Sequence, residues 1–175
     1  MNQLEAFGQI DTFIFDVDGV FTDSGLLITP EGQLLRRMST RDGYAVKRAA
    51  SLGYRLAVIT GGNCPGTVMR LKSLGIHDVF AGVSDKVAVF REYVAENELS
   101  VDRILFMGDD LPDYGPMKLV GLPCCPSDAV AEIKDISRYI SAFAGGKGCV
   151  RDVIEKVLRV RGQWSVDAKP LHLED

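Results

Sequence analysis

The sequence predicts an α/β fold of three layers, with helices on both faces of a mainly parallel central sheet. Three observations carry that prediction. Short runs rich in β-branched and aromatic residues alternate with amphipathic segments nearly throughout, the pattern of strand–helix–strand units. Glycine and proline punctuate the junctions, as at Gly53, Pro65 and Gly75. Carboxylate, hydroxyl and lysine side chains follow four of the apolar runs, and ligands of such Rossmann-like sheets bind outside the carboxyl ends of the strands.

Thr12-Phe13-Ile14-Phe15 reads as the first strand and stops at Asp16. Residues 26–28 and 33–35 flank Thr29-Pro30-Glu31-Gly32, which predicts a β-hairpin inserted after that strand. Ala45, Val46, Ala49 and Ala50 recur at helical spacing within residues 43–51, with Gly53 as the stop. Residues 55–60 form the next strand, and 65–74 a helix with proline in its first turn. Further strands are expected at 79–81, 103–107, 122–125 and 139–140, and helices at 85–97, 113–120, 129–134 and 149–161. Residues 162–175 show no clear period, and no repeat is present.

A chain of 175 residues suits one domain with a proper core. Its apolar content of 46% and charged content of 25% are those of a soluble globular protein. A net charge of −4 offers no basic field, so nucleic acid is not an expected partner. Residues 1–10 lack the charged start and apolar run of a signal peptide. No apolar stretch approaches the roughly 20 residues that span a bilayer, so no membrane association and a cytoplasmic location are expected. Cys64, Cys124, Cys125 and Cys149 show neither CxxC nor zinc-ligand spacing and read as buried free thiols.

The chemistry gathers at the strand ends. Asp16 and Asp18 follow the first strand, and Thr60-Gly61-Gly62 the second long one. Ser84-Asp85-Lys86 comes after the strand at 79–81, and Gly108-Asp109-Asp110, with Asp113 beyond, after 103–107. Carboxylates crowded into one cleft repel one another unless a cation sits among them, and hard oxygen ligands select Mg2+. A carboxylate that attacks a phosphate ester needs the same help: a metal ion, Lys86, the Thr60 hydroxyl and backbone N–H groups would offset the charge repulsion. Asp16 is thereby the candidate nucleophile, and Asp18 the candidate acid and base. Taken singly each piece has a plainer reading: a solvated turn for Asp16 and Asp18, a structural turn for Thr60-Gly61, a helix cap for Asp109-Asp110. Lys86 at a helix start opposes the helix dipole and calls for an anionic partner.

In order and spacing, Asp16-Val17-Asp18-Gly19, Thr60, Lys86 and Gly108-Asp109-Asp110-Leu111-Pro112-Asp113 resemble the four motifs of the haloacid dehalogenase-like (HAD) hydrolases, over residues 12 to about 160. The resemblance implies a Mg2+-dependent phosphoric monoester hydrolase, with residues 1–161 as its domain and 162–175 as a tail. It implies metal ligation by Asp16, the backbone carbonyl of Asp18, and Asp109, supported by Asp110 and Asp113. The intervals between motifs leave no room for a cap domain. Capless members with a hairpin like 26–36 resemble the 3-deoxy-D-manno-octulosonate 8-phosphate (KDO8P) phosphatases of lipopolysaccharide precursor synthesis. Those are homotetramers in which neighbouring subunits complete the active sites.

Arg41-Asp42-Gly43 and the segment 144–151 are similar to patterns of that group. With Gly61, Arg41, Lys147 and Arg151 are therefore candidate substrate-binding residues, although Arg151 equally suits the solvent face of a helix. Gly62 departs from the Gly-Arg that many relatives carry after the threonine. A nine-carbon sugar-acid 9-phosphate is the alternative substrate, and a non-catalytic oligomerisation module the alternative of another class. The latter predicts eroded carboxylates, which this sequence retains. His77 reads as structural, and His172 as a tail residue.

Overall fold

The computed structural model describes residues 2–165. Residues Thr12–Phe15 form strand β1, and all are buried. Apolar side chains of both parities must face protein when helices cover both faces of a parallel sheet. The same rule shapes β4 (Arg55–Ile59), β6 (Ile104–Met107) and β7 (Leu122–Cys125). With β5 (Asp78–Phe80) and β8 (Tyr139–Ile140) they make a six-stranded sheet in the order β5-β4-β1-β6-β7-β8. Every pairing in it is parallel. The expected hairpin is a separate two-stranded sheet, β2 (Leu27–Ile28) against β3 (Leu34–Leu35).

The chain steps outward from β1 to β4 and β5, then crosses back to β6 on the other flank. That reversal puts the topological switch point beside β1, where a crevice opens at the carboxyl ends.

Strand alternation divides the core in two. Phe13, Phe15, Leu56, Val58, Leu105 and Met107 meet one layer of helices: α1 (Gln3–Gln9), α2 (Thr40–Ser51), α3 (Pro65–Ser73) and α7 (Cys149–Val160). Ile14, Ala57, Ile59, Ile104 and Phe106 meet the other: α4 (Lys86–Glu96), α5 (Leu111–Met117) and α6 (Ala131–Ile136). Adjacent in sequence, Cys124 and Cys125 fall into opposite halves of the core, so β-sheet periodicity keeps their thiols apart. Cys124, Cys125 and Cys149 are buried and free, whereas Cys64 is only half-buried.

Helices α1 and α2 differ from the sequence expectation for reasons of capping. Helix α1 was not expected. The Asn2 side chain accepts from Glu5 N at 2.8 Å while the Glu5 carboxylate accepts from Asn2 N at 2.9 Å, a capping box that starts it. Helix α2 starts at Thr40, before Gly43, because Ser39 is its N-cap. Gly43 lies inside its first turn, where a Cβ would stand 3.0 Å from Arg70 Nη2 and 3.1 Å from Leu74 Cδ2. Close packing of α2 on α3, not a helix start, is what that glycine serves.

Asp42 ties the same helix to α7. Its side chain is fully buried, and Oδ1 accepts from Arg151 N at 2.8 Å in the first turn of α7. Among the described residues no helix is long and apolar enough to cross a membrane. His77 is exposed ahead of β5, and His172 lies outside the described residues.

Candidate active site

Strand β1 delivers Asp16 to the crevice, with its N–H donated to the Met107 carbonyl of β6 at 3.0 Å. The chain then has to turn sharply, and Gly19 does it with a φ of +93°. A Cβ at Gly19 would lie 1.9 Å from Asp109 Oδ2. The loop after β1 and the loop after β6 therefore interlock only because residue 19 has no side chain. Thr22, fully buried, steadies the turn: its Oγ1 accepts from Gly19 N at 3.2 Å and Ser24 N at 3.3 Å. Sequence reasoning passed over Thr22, although a hydroxyl three residues after a turn glycine is a recognisable stabilising signal.

Lys86 begins α4, where a cation opposes the helix dipole. The anionic partners such a position calls for are Asp16 and Asp113. Nζ donates to Asp113 Oδ1 at 2.7 Å and stands 2.8 Å from Asp16 Oδ1. The second contact is an ion pair without hydrogen-bond geometry, and Asp16 Oδ1 is left as a buried oxygen with no hydrogen-bond partner. Asp113 Oδ2 accepts from Asp109 N at 3.1 Å. Gly108 permits this approach, since a Cβ there would meet Asp113 Cβ at 2.3 Å. Thr60 is buried at the end of β4, and its Oγ1 accepts from Gly62 N at 3.2 Å.

This grouping perturbs its own titration. Burial, then the Asp113 charge, pushes Asp16 up to about 6 against the pull of Lys86. Burial, then Asp16, Asp113 and Asp110, pushes Asp109 up to about 8. Burial draws the Lys86 ammonium down, but Asp16 and Asp113 outweigh it and hold the group above its ordinary value. Acids raised in this way beside a lysine mark a site built for more positive charge than the protein supplies.

Asp16, Asp18, Thr60, Gly61, Gly62, Lys86, Asp109, Asp110 and Asp113 all line one cleft of about 350 Å³. Asp110 uses a carboxylate oxygen to accept from Leu111 N at 2.7 Å and caps α5, which therefore starts earlier than expected. Asp18 is not part of the close grouping of Asp16, Asp109 and Asp113: Arg36, a residue the sequence reading left without a role, holds both its oxygens. Arg41, Lys147 and Arg151 do not join this cleft. They line another cavity, of about 470 Å³, together with Lys156 and Arg159.

No family model matches the chain. The KDO8P phosphatase KdsC of Escherichia coli (strain K12) is 31% identical over 154 residues, spanning 88% of this chain and 82% of that protein. The chain belongs to the KdsC-type phosphatase family of the HAD superfamily. The crystal structure of the Yersinia pestis KDO8P phosphatase superposes with a TM-score of 0.88 at 29% identity, over 91% of this chain and 86% of that one. That of Moraxella catarrhalis, in complex with magnesium ion, phosphate ion and KDO, gives 0.86 at 27% identity, over 90% of each chain.

The donor set of this KdsC-type chain fits a hard divalent cation. Asp16, Asp109 and Asp113 each offer a carboxylate oxygen, all within 4.8 Å of one another. All three donors are oxygens, Asp16 carries a buried oxygen without a hydrogen-bond partner, and Asp16 and Asp109 are raised first by burial and then by neighbouring carboxylates.

Proposed function

We propose that this chain hydrolyses 3-deoxy-D-manno-octulosonate 8-phosphate to the free sugar acid and inorganic phosphate, with Mg2+ as cofactor. The observation that carries the reading is the buried Asp16 carboxylate, 2.8 Å from Lys86 Nζ and with its Oδ1 otherwise unpartnered, at the switch point of a KdsC-type fold. Asp16 attacks phosphorus, the ester P–O bond breaks, and an aspartyl-phosphate forms on Asp16. Asp18 delivers a proton to the leaving sugar oxygen, then takes one from the water that cleaves the acyl phosphate. Lys86 keeps Asp16 oriented and lowers the cost of charge that builds on the phosphoryl oxygens, to which the Thr60 hydroxyl and the Gly61 N–H donate. Asp16, Asp109 and the backbone carbonyl of Asp18 would hold Mg2+, with Asp110 and Asp113 in support. Bound there, the ion supplies Lewis-acid neutralisation of the phosphate charge.

Recognition of the sugar acid draws on a neighbouring copy. Leu26, Leu27, Ile28, Leu34 and Leu35 of the hairpin region are all exposed, Leu27 by 68%, and an apolar cluster of that kind favours a protein contact. Arg41, Lys147 and Arg151 supply the charge that a sugar-acid carboxylate needs, but in a cavity apart from their own cleft. Both observations support self-association in which each subunit completes another's site; the reading extends to a homotetramer working in the cytoplasm in lipopolysaccharide precursor synthesis. The 1–161 region would act as one domain; the part of the tail beyond residue 165 lies outside the described residues.

Steady-state assays with Mg2+ against the eight-carbon 8-phosphate, a nine-carbon sugar-acid 9-phosphate and a generic aryl phosphate test the substrate. The reading expects kcat/KM highest for the octulosonate; equal turnover of all three would sink it. Light scattering with Leu27→Asp tests the assembly, which should dissociate and lose sugar-acid turnover together.

A further inference from the structure

Arg36 reaches the cleft from the hairpin. The two residues of β3 just before it are exposed, yet its own side chain is only 7% exposed. Its guanidinium grips Asp18 with two prongs: Nε donates to Oδ1 at 2.7 Å, and Nη2 donates to Oδ2 at 2.9 Å. Nη1 donates to the Leu34 carbonyl at 3.2 Å. Fork pairs of this kind fix the geometry of both partners. Gly62 makes the room, because a Cβ there would stand 3.0 Å from Nη2 and 3.1 Å from Asp18 Oδ2.

This grip conflicts with turnover. Asp18 lines the cleft, but while both its oxygens accept from Arg36 neither can hand a proton to a leaving group. The cleft also lacks free positive charge. Lys86 is the one cation among its lining residues, and it is already committed to Asp16 and Asp113. Arg36 is not among those lining residues, but its guanidinium is bonded to Asp18, which is, so an anionic ester bound beside Asp18 would have that guanidinium as a neighbour.

We propose that Arg36 changes partner during the cycle: it clamps Asp18 in the free enzyme and transfers its guanidinium to the phosphate group on binding, which frees Asp18 for proton transfer. The exchange keeps the arginine paired throughout, so no buried cation is ever stranded. This inference rests on the phosphatase reading above and concerns how that site is armed.

The test uses the full chain with Mg2+ and inorganic phosphate as the probe. Calorimetric titration should show phosphate binding weakened roughly 10- to 100-fold by Arg36→Ala, the loss of a charged fork. KM should rise in parallel, and the pH profile of kcat/KM, which reports the free enzyme where the clamp exists, should move. Arg36→Lys keeps the charge and should retain most of the phosphate affinity while its pH profile shifts. Gly62→Ala leaves the arginine in place but crowds it, and should change both readouts in the same direction by less. Phosphate affinity and pH profile unchanged in Arg36→Ala would overturn the proposal, as would a loss of kcat alone. If wild type hydrolyses no phosphate ester, the functional reading fails, and phosphate titration still decides whether Arg36 meets the anion. If Asp16→Asn abolishes turnover while the Arg36 variants behave as wild type, the proposal fails alone.

Discussion

The cleft and the cationic cavity solve opposite electrostatic problems. In the cleft, acids are buried around a single lysine, and their charge is held off by raised titration. In the cavity, cations are kept at the surface and paired along α7: Arg151 with Glu155 at 3.0 Å, and Arg159 with Glu155 at 2.6 Å. Arg151 also lies over the Trp164 ring at 5.3 Å and the Tyr44 ring at 5.9 Å. One region is short of positive charge and the other has it to spare. A fold that keeps the two apart stores attraction for an anion where it cannot collapse onto its own buried acids.

Substitutions can break that contrast, and the largest effect belongs to Asp16→Asn. Turnover should fall on the order of 10⁴-fold or more, while the melting temperature holds or rises because a poorly paired buried acid is removed. Loss of activity with a collapse of stability would instead make Asp16 a structural residue.

Lys86→Met comes next. It leaves Asp16 and Asp113 buried without their partner, which costs roughly 3–5 kcal/mol in the metal-free protein. For a chain of this size that is a drop of about 6–20 °C, read by calorimetry.

The acids themselves predict a pH dependence. Asp16 and Asp109 titrate higher in the folded chain, at about 6 and about 8, than the ordinary 3.8. Their protonated forms are favoured by folding, so the stability they contribute is full below pH ~3.8 and is lost as pH rises through those two values. Metal-free protein should therefore lose melting temperature between pH 5 and pH 8. Mg2+ at ~100 times its pH 8 dissociation constant should restore about 2.7 kcal/mol there, and the same concentration should raise the melting temperature less at pH 5. An equal rise at both pH values would separate the metal from these carboxylates.

On the cavity side the effects should be smaller. Arg41→Ala or Lys147→Ala should raise KM for the sugar-acid phosphate roughly 10-fold and leave aryl phosphate turnover alone. Arg159→Ala, which breaks an exposed pair, should change stability by at most about 1 kcal/mol and leave kinetics untouched. Unchanged KM in the first two variants would dissolve the link between the two regions.

The cleft was legible because strand ends in a parallel sheet are fixed by local patterns: once Phe15, Ile59 and Met107 end their strands, Asp16, Thr60 and Asp109 must meet. The hairpin's place over the cleft was not, because the reach of Arg36 depends on tertiary docking and on the empty side of Gly62. Nor did spacing tell that Asp42 caps a helix a hundred residues away, a contact made only when α2 packs on α7. Helix α1 was legible in principle through Asn2 and Glu5, but its apolar face is too short to show a period.

The strand order carries one more consequence, for synthesis of the chain. Asp16 and Thr60 sit on β1 and β4, on one side of the switch point, while Asp109 and Asp113 arrive only with β6 and α5. A nascent chain that has emerged only as far as Glu98, an exposed non-glycine residue with a φ of +52°, holds Asp16 but not its counter-loop. It cannot gather the three carboxylates, and Gly19 has nothing to interlock with. Competence arrives in one step, when the second half docks, so two fragments divided at that turn would form a complementation pair whose activity reports their assembly.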